Sequence, residues 1–192
     1  MSCGAAAVAL NLKSYPQNAK NAAYGPKSEF IAPTACFNRR VSSKIAVMKH
    51  TEAAAAVFEQ GVCCSQAVLA AYAAEYGLDR DIALKIAAGF GAGMGRMTQT
   101  CGAVTGAYMV LGLKYGAASG DREAKERTYR AVREFAQRFK ERNGALGCKE
   151  LLGCDISKPE EFAKMKSLGL HVTVCSKMVH DACVILDELL KG

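Results

Sequence analysis

From Met48 onward, apolar residues recur at helical spacing and are punctuated by glycines and capping residues, so the chain reads as one helix after another. Thr51 is placed to cap a first helix running to about Gln60, which Gly61 ends. Cys64 and Ser65 open a second, carried by Ala67, Leu69, Ala70, Tyr72 and Ala73 to Tyr76 and closed by Gly77. Asp79 caps a third across Ile82, Leu84, Ile86 and Ala87. A glycine-rich loop follows, with Gly89, Gly91, Gly93 and Gly95. The central helix then runs from about Thr100 to Tyr115 and stops at Gly116. Residues 121–143 form a long charged amphipathic helix with Tyr129, Val132, Phe135, Ala136 and Phe139 on its inner face. A short helical turn begins at Cys148, another helix begins at Pro159, and the last starts near Cys175 with Val179, Ala182, Ile185, Leu186 and Leu189 turned inward. No strand alternation lasts more than a few residues. The expected fold is all-α, a compact multi-helix bundle over 48–192.

Residues 1–47 break this pattern. They have no sustained period, hold three of the four prolines and read as a disordered extension. Arg39-Arg40-Val41-Ser42-Ser43-Lys44 resembles part of an acid-poor transit peptide, which implies an organelle; Met48 is the alternative natural start, with a cytoplasmic location. The charge divides at the same place. Six of the 25 Lys/Arg and one of the 18 Asp/Glu lie in 1–47, so the rest carries 19 basic against 17 acidic residues. A body so nearly balanced is not expected to bind nucleic acid. The longest uncharged run, Met97 to Leu113, contains Thr, Gln and glycines and falls short of a membrane span, so no membrane partner is expected either.

The central helix carries two kinds of information. Gly102 and Gly106 lie four apart beside Ala103 and Ala107, a small-residue stripe that lets another helix approach closely. Thr98 and Thr100 are candidate N-caps, which puts Cys101 in the first turn, where free backbone N–H groups and the helix dipole stabilise a thiolate; Arg96 would act in the same direction. The competing reading is that Cys101 is a small buried hydrophobe. The glycine loop does not spell a nucleotide site. No Gly-Lys-Ser/Thr follows it, and Gly91, Gly93, Gly95 misses the last position of G-x-G-x-x-G, so a flexible loop over the thiol is expected instead.

Nine cysteines in 192 residues extend the picture. Their odd number and the lack of a secretory pattern point to a reducing interior, where clustered cysteines are catalytic, redox-sensing or metal-binding. Cys64, Cys101, Cys148 and Cys175 each fall at or near a helix start. Four such placements suggest one shared site. Cys63 reads as packing or a spare partner, Cys183 as core, and Cys154 stays undecided; Cys3 and Cys36 lie in the extension and receive no role. His50, His171 and His180 form no H-x-H or H-E-x-x-H.

Cys-Ser-Gln-Ala at 64–67, Cys-Gly-Ala-Val-Thr-Gly at 101–106, Cys-Lys-Glu-Leu-Leu-Gly at 148–153 and Cys175 together resemble a family of small redox-active proteins with the pattern C…CGAxxG…C…C. The resemblance spans about Met48 to Leu190 and implies a cytosolic protein with a redox role, without supplying a substrate. A related cysteine-rich domain occurs in a split-Soret type cytochrome, but no C-x-x-C-H is present here, so covalent haem is not expected.

Three functions are weighed. In the first, a low-pKa Cys101 attacks a disulfide or oxidant and Cys64, Cys148 or Cys175 resolves the product, with a redox partner protein or a small thiol or disulfide on the other side. In the second, Cys64, Cys101, Cys148 and Cys175, with Cys154 as a further candidate, ligate an iron–sulfur cluster or metal ion in an electron-transfer or sensor protein; four separate segments are unusual ligand spacing for that. In the third, the bundle is structural and the cysteines are core.

Overall fold

The computed structural model describes residues 50–191, and the expected extension over 1–47 lies outside them. Eight α-helices follow in order: α1 (His50–Glu59), α2 (Cys64–Tyr72), α3 (Arg80–Ala87), α4 (Gly102–Tyr115), α5 (Arg122–Asn143), α6 (Cys148–Leu152), α7 (Pro159–Ser167) and α8 (Ser176–Leu190). Among the described residues there is no strand, only an isolated antiparallel bridge between Thr100 and Gly147. The all-α bundle expected from the periodicity is the observed fold.

Several ends form as their residues dictate. Asp79 accepts hydrogen bonds from the backbone N–H groups of Asp81 and Ile82, and Asp121 from those of Glu123 and Ala124. Gly144, left-handed at φ 87°, stops α5. Three boundaries differ from expectation. Thr51 lies inside α1 rather than capping it. Neither Thr98 nor Thr100 caps α4, whose N-cap is Cys101. Cys63 is the N-cap of α2, its backbone N–H donating to the Gln66 side chain three residues on.

The core lies where α2 and α4 pack together and where α1, α5 and α8 close over them. Tyr72, Phe135, Phe139, Leu69, Leu111 and Leu186 are fully buried there. The glycine stripe does what its spacing predicts. A Cβ on Gly106 would stand 2.7 Å from the Ser65 carbonyl oxygen, and one on Gly102 would stand 3.2 Å from the Cys64 Cβ, so α2 meets α4 at glycine distance. Elsewhere the inner faces are narrower than predicted. Ile82 and Ile86 on α3 are half exposed, with Ala83 buried beside the expected Ala87, and Tyr129 turns outward on α5 against Lys125.

Polar contacts fix the packing of the outer helices. His50 stacks on Tyr72 at 3.9 Å and bridges Asp187 and Glu75, each at 2.6 Å. The Tyr72 hydroxyl donates to Asp187 and to the Cys183 carbonyl. Arg142 and Lys177 both reach the buried Asp181, tying α5 to α8. Among the described residues no single helix is long and apolar enough to cross a membrane.

Candidate functional site

The glycine segment is coiled rather than loose. Ala92, Gly93, Met94, Gly95 and Arg96 all have φ between 53° and 68°, and the turn is closed by hydrogen bonds from Arg96 N–H to Ala92 O and from Gln99 N–H to Gly93 O. Left-handed backbone costs about 1–2 kcal/mol per L-residue, so Ala92, Met94 and Arg96 are held there against their preference. The close approach expected of this segment is present. A Cβ on Gly91 would overlap the Cys63 sulfur, and one on Gly93 would come within 2.7 Å of the Cys148 Cβ.

Just after this turn, two backbone hydrogen bonds join distant parts of the chain. Cys101 N–H donates to Leu146 O at 2.8 Å and Cys148 N–H to Gln99 O at 2.7 Å. Cys101, the N-cap of α4, and Cys148, the first residue of α6, thus stand side by side. Cys64 is the first residue of α2. Cys175 immediately precedes α8, as expected, but it also ends a π-helical turn, His171–Cys175, that runs directly into that helix. Single π turns are common at functional sites because the wider coil re-aims a side chain.

All four thiols line one cavity of about 450 Å³. Cys63 lines it too, as do apolar residues that include Phe58, Leu152, Ile156, Met165 and Met178. Cys148, Leu152, Ile156 and Met165 form a small core of their own beside the main one, which makes one wall of the cavity. Cys154 packs against this small core without lining the cavity, and Cys183 is fully buried elsewhere in the main core.

The expected thiolate is in the wrong place. Burial pushes the Cys101 thiol up to about 11, outweighing the Ala103 and Val104 N–H groups that act in the opposite direction. The Arg96 guanidinium does not act on it, lying 4.1 Å over the ring of Phe162 instead. Burial and the neighbouring cysteines push Cys148 up to about 12. Cys175 alone of the four is shifted down, because a hydrogen bond from Cys64 stabilises its thiolate by more than burial opposes it. The same contact, followed by burial, raises Cys64 well above the usual thiol value. Cys175 is the less buried of the two, so burial opposes its charged form less.

Cys63, expected to be packing or a spare partner, and Arg96, expected near Cys101, both line the cavity, and Lys166 and His171, for which the sequence predicts no role there, join them. The i, i+4 spacing of Phe162 and Lys166 was the available signal for one of these contacts, and their side chains meet at 4.6 Å. Among the described residues no three Cys, His, Asp or Glu side chains converge closely enough to hold a single metal ion.

An all-helical bundle with four cysteines from four segments on one apolar cavity defines a class of polythiol protein. The family described as "Putative redox-active protein (C_GCAxxG_C_C)" matches residues 62–189, and the chain belongs to it. The family's description writes Gly before Cys, whereas this chain has Cys101-Gly102-Ala103 ahead of Gly106. No curated protein and no solved structure matches the chain.

Proposed function

We propose that the cavity is a two-electron thiol redox centre in which Cys175 is the nucleophile and Cys64 the resolving thiol. The observation that supports this reading is that Cys64 and Cys175 line the same cavity, where the neighbouring Cys64 thiol shifts Cys175, alone of the four, toward the thiolate. The Cys175 thiolate attacks one sulfur of a partner disulfide, forming a mixed disulfide and releasing the other half as a thiolate. Cys64, giving its proton to that leaving group or to water, then attacks the Cys175 sulfur and expels the second half. The protein ends with a Cys64–Cys175 disulfide, and the partner, a redox protein or a small disulfide, has gained two electrons and two protons. Reduction of the protein by a dithiol reverses the sequence. Cys101 and Cys148, both raised in pKa, remain protonated near neutrality and do not compete. The test is to oxidise the reduced protein with a small disulfide and map the product by peptide mass spectrometry. A Cys64–Cys175 bridge that Cys175→Ser abolishes supports the reading; any other pairing overturns it.

A second reading has its own support, because the first leaves Cys101 and Cys148 idle although they share the cavity. Four thiolates are the usual ligand set of an iron–sulfur cluster, whose irons are bridged by sulfide and so do not require all ligands to converge on one ion. Cys64, Cys101, Cys148 and Cys175 would hold it, and it would supply one-electron transfer in place of disulfide exchange. Anaerobic purification with an absorption spectrum and iron and sulfide analysis decides between the two. Brown protein with matched iron and sulfide favours the cluster; colourless protein with a titratable internal disulfide favours exchange.

A further inference from the structure

The charged side chains that line the thiol cavity have one sign. Arg96 and Lys166 are exposed, the exposed His171 also lines the cavity, and no Asp or Glu joins the lining. Arg96 and Lys166 both lean on a single ring, Phe162, with the guanidinium carbon 4.1 Å and the ammonium nitrogen 4.6 Å from its centroid. Two cations gathered on one aromatic ring repel each other, and the ring offsets that only in part. Among the described residues neither cation has a carboxylate within ion-pair distance. Glu161, near the start of the same helix, is engaged by Lys158 and by the Asp155 backbone N–H. The left-handed conformation of Arg96 belongs to a turn that also brings Ala92 to the cavity, so the strained segment supplies one of the two charges.

We propose that the cavity takes an anionic small-molecule disulfide, whose carboxylate is held by Arg96 and Lys166 at the Phe162 rim while its sulfur–sulfur bond reaches the Cys64–Cys175 pair. This rests on the reading of that pair as the reacting dithiol. The disulfide is itself the oxidant: it takes up two electrons and two protons and leaves as two carboxylate-bearing thiols, while Cys64 and Cys175 become bonded to each other. The apolar walls receive the carbon chain, and the thiols stay out of bulk water.

The test uses three aliphatic disulfides of similar reactivity and different charge: dithiodipropionate, a dianion; hydroxyethyl disulfide, neutral; and cystamine, a dication. Rates of thiol loss from the reduced protein are measured for each at low and high ionic strength. For the unaltered protein the dianion is expected to react fastest at low salt and to lose that advantage as salt is added. In the R96Q/K166Q variant the ratio of dianion rate to neutral rate is expected to fall about tenfold. The ratio cancels any general change in thiol exposure. A ratio unchanged by both the substitutions and salt overturns the anion proposal while leaving the disulfide reading standing. Failure of all three reagents to produce a Cys64–Cys175 bridge overturns the disulfide reading, and this proposal with it.

Discussion

At Cys101, two effects of opposite sign act on one sulfur. The N–H groups of Ala103 and Val104 favour its charged form, as a helix start should, yet burial raises the thiol to about 11. At Cys175 the balance is reversed, because a second thiol donates to the first. Peptide-resolved alkylation of the reduced protein from pH 5 to 9 is therefore expected to label Cys175 well ahead of Cys101 and Cys183, with the difference largest at low pH, where only a thiol of lowered pKa is ionised. Equal rates for Cys175 and Cys101 would remove the assignment of Cys175 as nucleophile. The raised thiols carry a stability consequence as well. Cys101 at about 11, and Cys148 and Cys183 at about 12, hold their protons in the folded state at pH values where the unfolded chain, near the ordinary thiol value, has released them. The folded state then binds more protons than the unfolded one, so stability falls as pH rises above about 9. Denaturant midpoints from pH 8 to 10.5 should decline, and decline less steeply in Cys183→Ala. A flat profile would contradict the burial argument.

Among the elements, α4 and the turn before it make opposite demands on glycine. At Gly106 a side chain would meet the Ser65 carbonyl oxygen at 2.7 Å, so Gly106→Ala is expected to cost about 1–3 kcal/mol despite alanine's better helix propensity. Gly102→Ala, with contacts of 3.1–3.2 Å, should cost less. Denaturant midpoints rank the two, and a gain in stability for Gly106→Ala would sink the close-packing account. In the preceding turn Ala92 lies at φ 53°, so Ala92→Gly should stabilise by about 0.5–1 kcal/mol once the entropy of the unfolded chain is counted. Thermal melts would register this as a rise, whereas the same change in an ordinary helix lowers the midpoint. The α4 packing was legible because two glycines at i, i+4 have few other uses in a helix. The helix-start positions of Cys64 and Cys148 were legible for a similar reason, since Gly61 and Gly147 punctuate the chain just before them. The turn over Gly91 to Gly95 was not, because Ala92, Met94 and Arg96 carry no local preference for left-handed backbone and are held there by their surroundings. Nor could periodicity reveal the width of the coil at His171–Cys175.

For the molecule as a whole, the site depends on pieces far apart in sequence. Cys64 comes from the second helix and Cys175 from the approach to the last, roughly a hundred positions away. A bond between them closes a long loop of the unfolded chain, and on the chain-entropy account the oxidised protein should be more stable than the reduced by about 5 kcal/mol, less any strain in the folded state. Unfolding in denaturant before and after oxidation measures this. Equal stability would argue against the proposed pairing. The depth of Cys101 and Cys148 is also a whole-molecule property. The wall made by Leu152, Ile156 and Met165 comes from α6, α7 and the segment joining them, and no pattern in the sequence pairs that wall with α2. The charge at each thiol could therefore not be read from its position on its own helix.

From Leu170 to Leu190 the chain coils without a break, and for five residues, His171–Cys175, the coil is one residue wider per turn. Such a stretch can be regarded as an ordinary helix carrying one residue too many. Loss of one codon there, at the exposed Thr173 for instance, would let the whole segment wind as a regular helix. Each residue on the far side of the deletion would then turn by about 100° relative to Cys175. With α8 fixed by its buried face, the readjustment falls on the segment entering from α7, which carries His171 on the cavity wall. A single deletion of this kind offers a short mutational route between a helix that serves the cavity and one that only fills the bundle.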